Sequence, residues 1–366
     1  MKAICDRGAL MDALGLVGGV VVARTPKPVL ACVKLTAEDG KLTLSATDLD
    51  VALSLDTPRV EVQEPGEALV PADKLQSIVR ESIDPTLAFE TNQTQTVITG
   101  QDSKFTLHGH PPADFPQAPT FDGEADFEVA AADLHRLIAM TIFATAKENS
   151  RYAINGVLVE REGKHLAVVA TDGHRLAVAR GTCAKADSEQ RNAIVPTKAL
   201  HLLMRLFDDG DQPVRVRLAD NQILFAADHA VLSSNLVEGN SPPYRDVIPK
   251  DGDRKATLET DRFISAVRRA ALLTNEESKG VRMGFASDGL TISSRAPEMG
   301  EAEIKLELPE FTGEDMEIGF NPAYLLDALK VVDQEQVQLD MKGPAKPGVL
   351  KTGNDFLYVV MPVNLQ

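Results

Sequence analysis

The segment from His165 to Phe207 has the clearest pattern of apolar and polar positions in the chain. In its first half, HLAVVATDGHRLAVAR, apolar residues recur at every second position on both sides of Asp172-Gly173, which is typical of a β-hairpin. In its second half, VPTKALHLLMRLF, apolar residues lie three and four positions apart, as on one face of a helix. The pattern therefore predicts a hairpin followed by an amphipathic helix that begins at Pro196.

The same hairpin-and-helix pattern is found once earlier and once later in the chain. The matching segments are KLTLSATDLDVALSL (41–55) with VPADKLQSIVRES (70–82), and GLTISSRAPEMGEAEIKL (289–306) with FNPAYLLDALKVV (320–332). The aligned residues Val70, Val195 and Phe320 are separated by 125 positions in each step. This period is the length of a whole domain, whereas a solenoid repeat has about 20 to 50 residues. We therefore predict three tandem domains of like fold, at residues 1–120, 127–250 and 255–366.

Each domain is predicted to contain two amphipathic helices, and strands follow each helix. The six helical windows are residues 5–21, 71–83, 132–151, 196–207, 260–279 and 321–332. The strands are connected by tight turns rather than by crossover helices, which favours antiparallel sheets. The predicted fold class is α+β, with two helices packed on antiparallel sheets in every domain.

The charge of the chain is distributed unevenly. The net charge is −16, and an acidic protein is at first sight a poor partner for nucleic acid. The six helical windows nevertheless sum to +3, so the rest of the chain carries −19. If the helices share one surface, that surface is mildly positive and acts locally, because salt screens the acidic remainder. Ordinary solvated helix faces would give the same count, and this alternative stays open.

The sequence offers little that is typical of catalysis. It contains no GxxxxGK[ST] phosphate loop, HExxH motif, pair of CxxC motifs or GxSxG elbow. Two small groups remain, Asp172 with His174 and His108 with His110, and we interpret the second as part of a surface loop. The alternative function is a metal-dependent hydrolase that uses Asp172 and His174. We favour turn residues at this position, because no second pair of ligands follows at a suitable spacing. No metal and no cofactor are expected.

The chain also lacks the features of an exported or membrane protein. No run approaches 18 apolar residues, and MKAICDRG at the N-terminus contains no apolar signal segment. The cysteines Cys5, Cys32 and Cys183 are odd in number and far apart, as in a reducing compartment. We expect a cytoplasmic protein that does not contact membranes.

Five motifs together resemble the bacterial DNA polymerase III beta subunit family, the sliding clamps. They are NGV (155–157), ATDGHRLAV (170–178), PPYRDVIPK (242–250), LLTNEESKGVRM (272–283) and YVVMPV (358–363). The resemblance extends over the whole chain. It implies a non-enzymatic processivity factor in DNA replication, a head-to-tail homodimer whose six domains form a ring around double-stranded DNA. In such a ring the helices line the hole, and DNA is held without reference to its sequence.

The resemblance also implies a pocket for short apolar peptide motifs of partner proteins. These partners are the DNA polymerase III alpha subunit, the clamp loader and other proteins with clamp-binding motifs. The pocket residues implied are Ile154, Thr171, Gly173, His174, Arg175, Leu176, Pro242, Val247, Asn321, Tyr324, Val359 and Met361. For Leu176 and Val247, plain core packing is an equal alternative. The rim position that often holds a second arginine in the family is Asp246 here, so the preference for acidic peptide residues is open.

Two further sets of residues are implied by the same resemblance. The DNA-binding set is Arg24, Asn149, Arg151, Lys198 and Arg205, in which Asn149 stands where the family often has glutamine. The dimer interface places Phe105 and Leu107 of one subunit against Leu272 and Leu273 of the other. Lys104 opposite Glu298, Glu301 or Glu303 would form its charged rim. A three-domain scaffold unconnected with DNA remains the third interpretation.

Overall fold

The computed structural model describes residues 1–92, 94–118, 120–146, 154–185, 189–207, 210–250, 252–274 and 280–364. Within it the chain forms two compact units. The first consists mainly of Met1–His135 and Lys198–Leu236, and the second mainly of Arg136–Cys183 and Val237–Gln366. Each unit contains antiparallel sheets and helices, which confirms the α+β class.

The strands of the first unit form a five-stranded and an eight-stranded sheet. Their bounds are β1 Lys2–Asp6, β2 Cys32–Glu38, β3 Lys41–Thr47, β4 Val51–Thr57, β5 Val60–Glu64, β6 Gly66–Pro71, β7 Thr86–Asn92, β8 Gln95–Thr99, β9 Lys104–His108, β10 Phe127–Ala130, β15 Pro213–Leu218, β16 Gln222–Ala227 and β17 Ala230–Asn235. The smaller sheet has the order β5-β1-β7-β8-β9, and the larger β10-β15-β16-β17-β4-β3-β2-β6.

The second unit contains a nine-stranded and a four-stranded sheet. The strand bounds are β11 Gly156–Glu162, β12 His165–Thr171, β13 Arg175–Thr182, β14 Gln190–Pro196, β18 Arg254–Glu259, β19 Val281–Ala286, β20 Gly289–Ala296, β21 Gly300–Leu306, β22 Glu310–Thr312, β23 Met316–Phe320, β24 Gln336–Met341, β25 Gly348–Thr352 and β26 Phe356–Val360. The larger sheet has the order β14-β11-β12-β13-β26-β25-β24-β18-β22, and the smaller β21-β20-β19-β23.

Seven α-helices accompany these sheets in the described part of the chain. They are α1 Arg7–Val17, α2 Ala72–Glu81, α3 Ala131–Ala139, α4 Thr197–Leu206, α5 Tyr244–Val247, α6 Thr260–Ala271 and α7 Pro322–Leu329. Apart from the single turn α5, each lies in one of the six predicted windows, although α3 begins one residue before its window. Burying one apolar face of each helix on a sheet is the main source of its stability. On α4, for example, that face consists of Ala199, Leu202, Leu203 and Leu206.

Several helix boundaries differ from the prediction. The first helix begins at Arg7 because Ala3 and Cys5 belong to β1, where they alternate as buried residues. The window 132–151 is helical only to Ala139, since Thr141 turns its hydroxyl back onto the carbonyls of Leu137 and Ile138. The helix expected from Pro196 begins at Thr197, and the one expected over 260–279 ends at Ala271. Every repeat thus opens with a short strand, not with a helix.

The hairpins repeat as predicted. The strand pairs β3/β4, β12/β13 and β20/β21 occupy equivalent places in the three repeats. At the tip of the second hairpin Gly173 has a φ of 89°, a conformation that glycine adopts readily and other residues do not. The predicted Asp-Gly turn is therefore confirmed, with a three-residue connection from Asp172 to His174.

Ladders between repeats extend two of the sheets. In the first unit β4 of the first repeat pairs with β17 of the second, with Leu53 opposite Leu232. In the second unit β13 of the second repeat pairs with β26 of the third, with Leu176 opposite Val359. In both cases the second strand of a hairpin pairs with the last strand of the following repeat.

Candidate functional site

The expected peptide pocket lies within the second unit, around the tip of the β12/β13 hairpin. Asp172 shapes this tip, because its Oδ1 accepts hydrogen bonds from the backbone N–H groups of His174 and Arg175, at 3.0 and 3.1 Å. The hydroxyl of Thr171 donates to the carbonyl of Arg175 at 2.6 Å and accepts from the N–H of Gly173. These local bonds hold His174 and Arg175 at one end of the large sheet.

Arg175 is the best-anchored side chain of the site. Its guanidinium donates to Asp172 at 3.0 Å, to Asp327 at 2.8 Å and to the carbonyl of Phe143 at 2.7 Å. It also lies over the ring of Tyr324, with Cζ 4.5 Å from the ring centroid. Burial lowers the pKa of Arg175, but the bonds to Asp327 and its other partners outweigh this effect and raise the pKa overall. Arg175 is a permanent cation that fixes the ring of Tyr324 beside the hairpin.

The chain end closes another side of the site. The N–H of Met361 donates to the carbonyl of His174 at 2.9 Å, one step beyond the β13/β26 ladder. The N–H of Val363 donates to the carbonyl of Gly319 at 2.9 Å. The tail from Met361 to Val363 therefore runs from the hairpin tip to the end of β23, just before α7.

Asn321 and the segment Pro242–Val247 supply the remaining walls. Asn321 caps α7 by accepting from the N–H of Ala323 at 2.9 Å, and this helix carries Tyr324. The short helix α5 is anchored by Tyr244, whose hydroxyl donates to Glu160 at 2.6 Å. Tyr244 packs in one cluster with Leu176 and Val359, so Pro242 and Val247 are held next to that cluster.

The expected pocket residues differ in their exposure. Leu176 and Val359 are buried in the core. Val247 and Met361 expose 58% and 42% of their surface, so for Val247 core packing is wrong. Ile154 is half-buried and precedes β11, and its carbonyl accepts from the N–H of Ala146. The expected pocket set thus combines buried and exposed apolar residues, a composition that suits a site for a short apolar peptide.

Several residues that support the pocket were not found from the sequence. Asp327, Phe143, Tyr244 and Glu160 support the pocket residues through hydrogen bonds that join positions 32 to 152 apart in the chain. The Arg175–Asp327 pair, for instance, spans 152 positions. The tail also lines a cleft of about 930 Å³ together with Arg254, Arg282 and Glu317, which no motif indicated.

Replacing Arg175 with lysine should destabilise this unit. Lysine lacks the planar guanidinium whose Nε, Nη1 and Nη2 donate to Asp172, Asp327 and the Phe143 carbonyl in three fixed directions. Since a hydrogen bond to a charged group contributes about 1.5–3 kcal/mol, we expect the free energy of unfolding in urea to fall by about 2 kcal/mol. The matched control is Arg180→Lys on the exposed part of β13, which should stay within about 0.5 kcal/mol of the parent. Equal losses for both variants would contradict the anchoring role of Arg175.

Three of the residues expected to face DNA, Arg24, Lys198 and Arg205, are described, and all three lie in the first unit. Lys198 and Arg205 are exposed on α4, seven positions apart and therefore on the same helix face. Arg205 donates to the carbonyl of Gly15 in α1 at 2.8 Å, and Arg24 is exposed in the loop after α1. Asn149 and Arg151 lie outside the described residues.

The positive charge of the helices is concentrated on two of them. The six long helices as folded sum to +3, with +2 on α4 and +2 on α6. The predicted excess is therefore confirmed for the helices themselves. It is carried by Lys198 and Arg205 on α4 and by three arginines against one aspartate on α6.

The residues expected at the dimer interface lie at two sheet edges. Phe105 and Leu107 are on β9, which ends the five-stranded sheet, and Phe105 is exposed. Leu272 and Leu273 follow α6, and Leu272 exposes 76% of its surface. A Cβ placed on Gly300 would lie 4.0 Å from Leu273, so this leucine adjoins β21, the edge of the four-stranded sheet. Sheet edges with apolar residues beside them are suited to pairing with another chain.

The hydrolase alternative has no support in this geometry. Both oxygens of Asp172 are used, one by the turn and the other by Arg175. Across the described residues no three His, Cys, Asp or Glu side chains are grouped as metal ligands would be.

Among the residues that the structure describes, no helix combines the length and apolar character of a membrane span. Cys5, Cys32 and Cys183 are buried free thiols, and burial raises the pKa of Cys5 to about 12.

Three repeats, each with a β-hairpin and two long helices packed on antiparallel sheets, define the class of three-domain DNA clamps. Family models for the N-terminal, central and C-terminal domains of the DNA polymerase III beta subunit match residues 1–119, 128–243 and 245–364. The chain belongs to this family, the beta sliding clamps, which are the non-catalytic processivity factors of DNA polymerase III.

Individual relatives agree over the full length. The beta sliding clamp of Escherichia coli K12 is 35% identical over 368 aligned positions, which cover 100% of both chains. The crystal structure of the Pseudomonas aeruginosa DnaN sliding clamp bound to griselimycin has a TM-score of 0.94 at 35% identity, and that of the Bacillus subtilis clamp 0.95 at 28%. Both structures cover the whole of this chain and are covered by it completely.

Proposed function

We propose that two copies of this chain join head to tail into a ring that encircles double-stranded DNA and tethers partner proteins by their peptide motifs. The ring would hold the DNA polymerase III alpha subunit on its template and also accept the clamp loader and other proteins with clamp-binding motifs. The three domains would be residues 1–120, 127–250 and 255–366. Retention on DNA would depend on topology, so neither a catalytic residue nor a cofactor takes part.

The observation that carries this proposal is the repeated seam between repeats. The second hairpin strand of one repeat pairs with the last strand of the next, at β4/β17 and again at β13/β26. One strand of each kind remains at a sheet edge. These are β21, the second hairpin strand of the third repeat, and β9, the last strand of the first repeat. Pairing β21 of one subunit with β9 of the other would repeat the seam and close a two-subunit ring.

Side chains at these edges favour the same pairing. Phe105 and Leu107 would contact Leu272 and Leu273 of the partner. This contact would remove the exposed apolar surface of Phe105 and Leu272 from water. Lys104 beside Phe105 would face the acidic turn and strand that contain Glu298, Glu301 and Glu303. Opposite charges at the rim would set the orientation of the subunits more than the affinity.

A weak grip on the duplex suits a ring that has to move along it. Arg24, Lys198 and Arg205 are exposed cations that would meet phosphates, which carry no sequence information. Because each neutralised phosphate makes binding more salt-sensitive and tighter, a few contacts are preferable to many. The −16 net charge then repels DNA from the remaining surface.

The proposal is tested by loading the protein on a nicked circular duplex with a clamp loader. We expect the protein to stay on the circle during gel filtration at moderate salt, and to be released when a single cut linearises the DNA. Only an encircling ring behaves in this way. Equal retention on circular and linear DNA, or no retention on either, would contradict it.

A further inference from the structure

The two carboxylate oxygens of Asp48, at the tip of the β3/β4 hairpin, have different hydrogen-bond partners. Its Oδ1 accepts hydrogen bonds from the backbone N–H groups of Asp50 and Val51, at 2.9 and 2.6 Å, and so shapes the turn. Its Oδ2 accepts from Nζ of Lys198 on α4 at 2.5 Å. The carboxylate is mostly buried, with 14% of the side chain exposed, whereas Lys198 exposes 44%. One carboxylate oxygen thus belongs to the fold, and the other holds a cation that is open to solvent.

The second repeat contains the same arrangement with a different cation. Asp172, 124 positions after Asp48, also uses Oδ1 for two backbone N–H groups of its turn and Oδ2 for a cation. There the cation is Arg175 of the same hairpin, and it is well buried. In the first repeat the position of Arg175 is occupied by Val51, and the free Oδ2 binds an exposed lysine from another element. The turn of the first repeat is formed by the Oδ1 bonds alone, so the ion pair of Oδ2 with Lys198 is not needed to shape it.

The pair neutralises one of the two cations of α4. Lys198 and Arg205 lie on the same face of this helix, and both belong to the expected DNA-binding set. Arg205 binds the neutral carbonyl of Gly15 and keeps its full positive charge. Lys198 faces a carboxylate at hydrogen-bond distance, and its charge is therefore largely compensated. The helix therefore carries one uncompensated positive charge, on Arg205. The charge of Lys198 is available to a DNA phosphate only if the phosphate replaces Asp48 as its partner.

We propose that Asp48 limits the grip of the clamp on DNA by competing with phosphates for Lys198. This inference rests on the proposed contact between Lys198 and the duplex. A phosphate that approaches Lys198 has to displace Oδ2, so the contact contributes less affinity and releases fewer counterions than a free lysine would. A weaker contact favours sliding over anchoring. Asp48 is accordingly a positioning residue for Lys198 and has no contact of its own with DNA.

The test is Asp48→Asn in the dimeric protein, with affinity for a short linear duplex measured between roughly 50 and 200 mM salt. Asparagine keeps an oxygen for the turn and removes the charge, and Asp48→Ser serves as a second uncharged turn residue should the amide perturb the fold. We expect binding about threefold tighter at the lower salt concentration and a salt slope steeper by up to about 0.9. Adding Lys198→Ala to either variant should abolish this gain.

The matched control is Asp56→Asn on β4. Asp56 pairs with Lys41 at 3.2 Å, so the control removes the same charge from a similar ion pair that involves none of the expected DNA contacts. It should leave affinity and slope unchanged. A gain equal to that of Asp48→Asn would show an effect of net charge alone and overturn the inference.

The remaining outcomes distinguish this inference from the proposed function. If Lys198→Ala weakens binding but neither Asp48 variant strengthens it, the DNA contact stands and the limiting role of Asp48 is wrong. If Lys198→Ala has no effect in any background, Lys198 does not meet DNA and the inference fails with that contact. Retention on circular DNA would still report separately on the ring.

Discussion

Replacing Leu272 and Leu273 together with alanine should convert the protein from a dimer into monomers. Leu272 is among the most exposed large apolar side chains described, and Leu273 lies against the first residue of the edge strand β21. Apolar anchors of this kind contribute about 2 kcal/mol each to the free energy of association. Losing both should raise the dimer Kd by about a thousandfold. Analytical ultracentrifugation at micromolar protein should show a species near the 39.5 kDa of one chain.

The control for this experiment is Val247→Ala in the peptide pocket, which also truncates an exposed apolar side chain. It should remain dimeric. The leucine variant should keep its affinity for a partner peptide, because all residues of the expected pocket lie in the second unit of one chain. An unchanged dimer in the leucine variant would show that the subunits meet elsewhere.

Removal of residues 361–366 should abolish binding of partner peptides. The deletion removes Met361, an exposed residue of the expected pocket, and with it the backbone hydrogen bond to His174. It also removes Val363, whose bond to Gly319 holds the tail near α7. Fluorescence anisotropy with a labelled clamp-binding peptide should detect a loss of about a thousandfold, the effect of losing two hot-spot contacts of about 2 kcal/mol each. The truncated protein should still sediment as a dimer.

A shorter deletion separates the tail that forms the pocket from the end of the chain. Removing only residues 364–366 retains Met361, Pro362 and Val363 together with both backbone bonds. This variant should bind the peptide as the parent does. Undiminished affinity after the longer deletion would show that the pocket lies elsewhere.

The elements that the sequence predicted well are those whose causes are local. Asp172 and Gly173 specify a hairpin turn by themselves, and the spacing of Leu202, Leu203 and Leu206 specifies the buried face of α4. The strand β1 was missed because only five residues separate the chain start from a strong helical pattern. In such a short strand the alternation of Ala3 and Cys5 is too brief to be distinguished from a helical face.

The pocket shows where local reasoning ends. Thr171, His174 and Arg175 were identified through a family motif, and no feature of their own neighbourhood indicates a binding site. Their supports are distant in sequence, since Asp327 binds Arg175 across 152 positions. The ion pair of Asp48 with Lys198 could not be predicted from the sequence either, because the two residues are 150 positions apart. Contacts of this range arise only when the repeats have paired their strands.

If β21 of one subunit pairs with β9 of the other, the dimer is a ring of six repeats. Averaged electron micrographs of the purified dimer should then show a closed ring with six similar lobes around a central opening. The Leu272/Leu273 variant should give an opened or monomeric particle. Dimers without a central opening, or joined through other surfaces, would contradict this pairing.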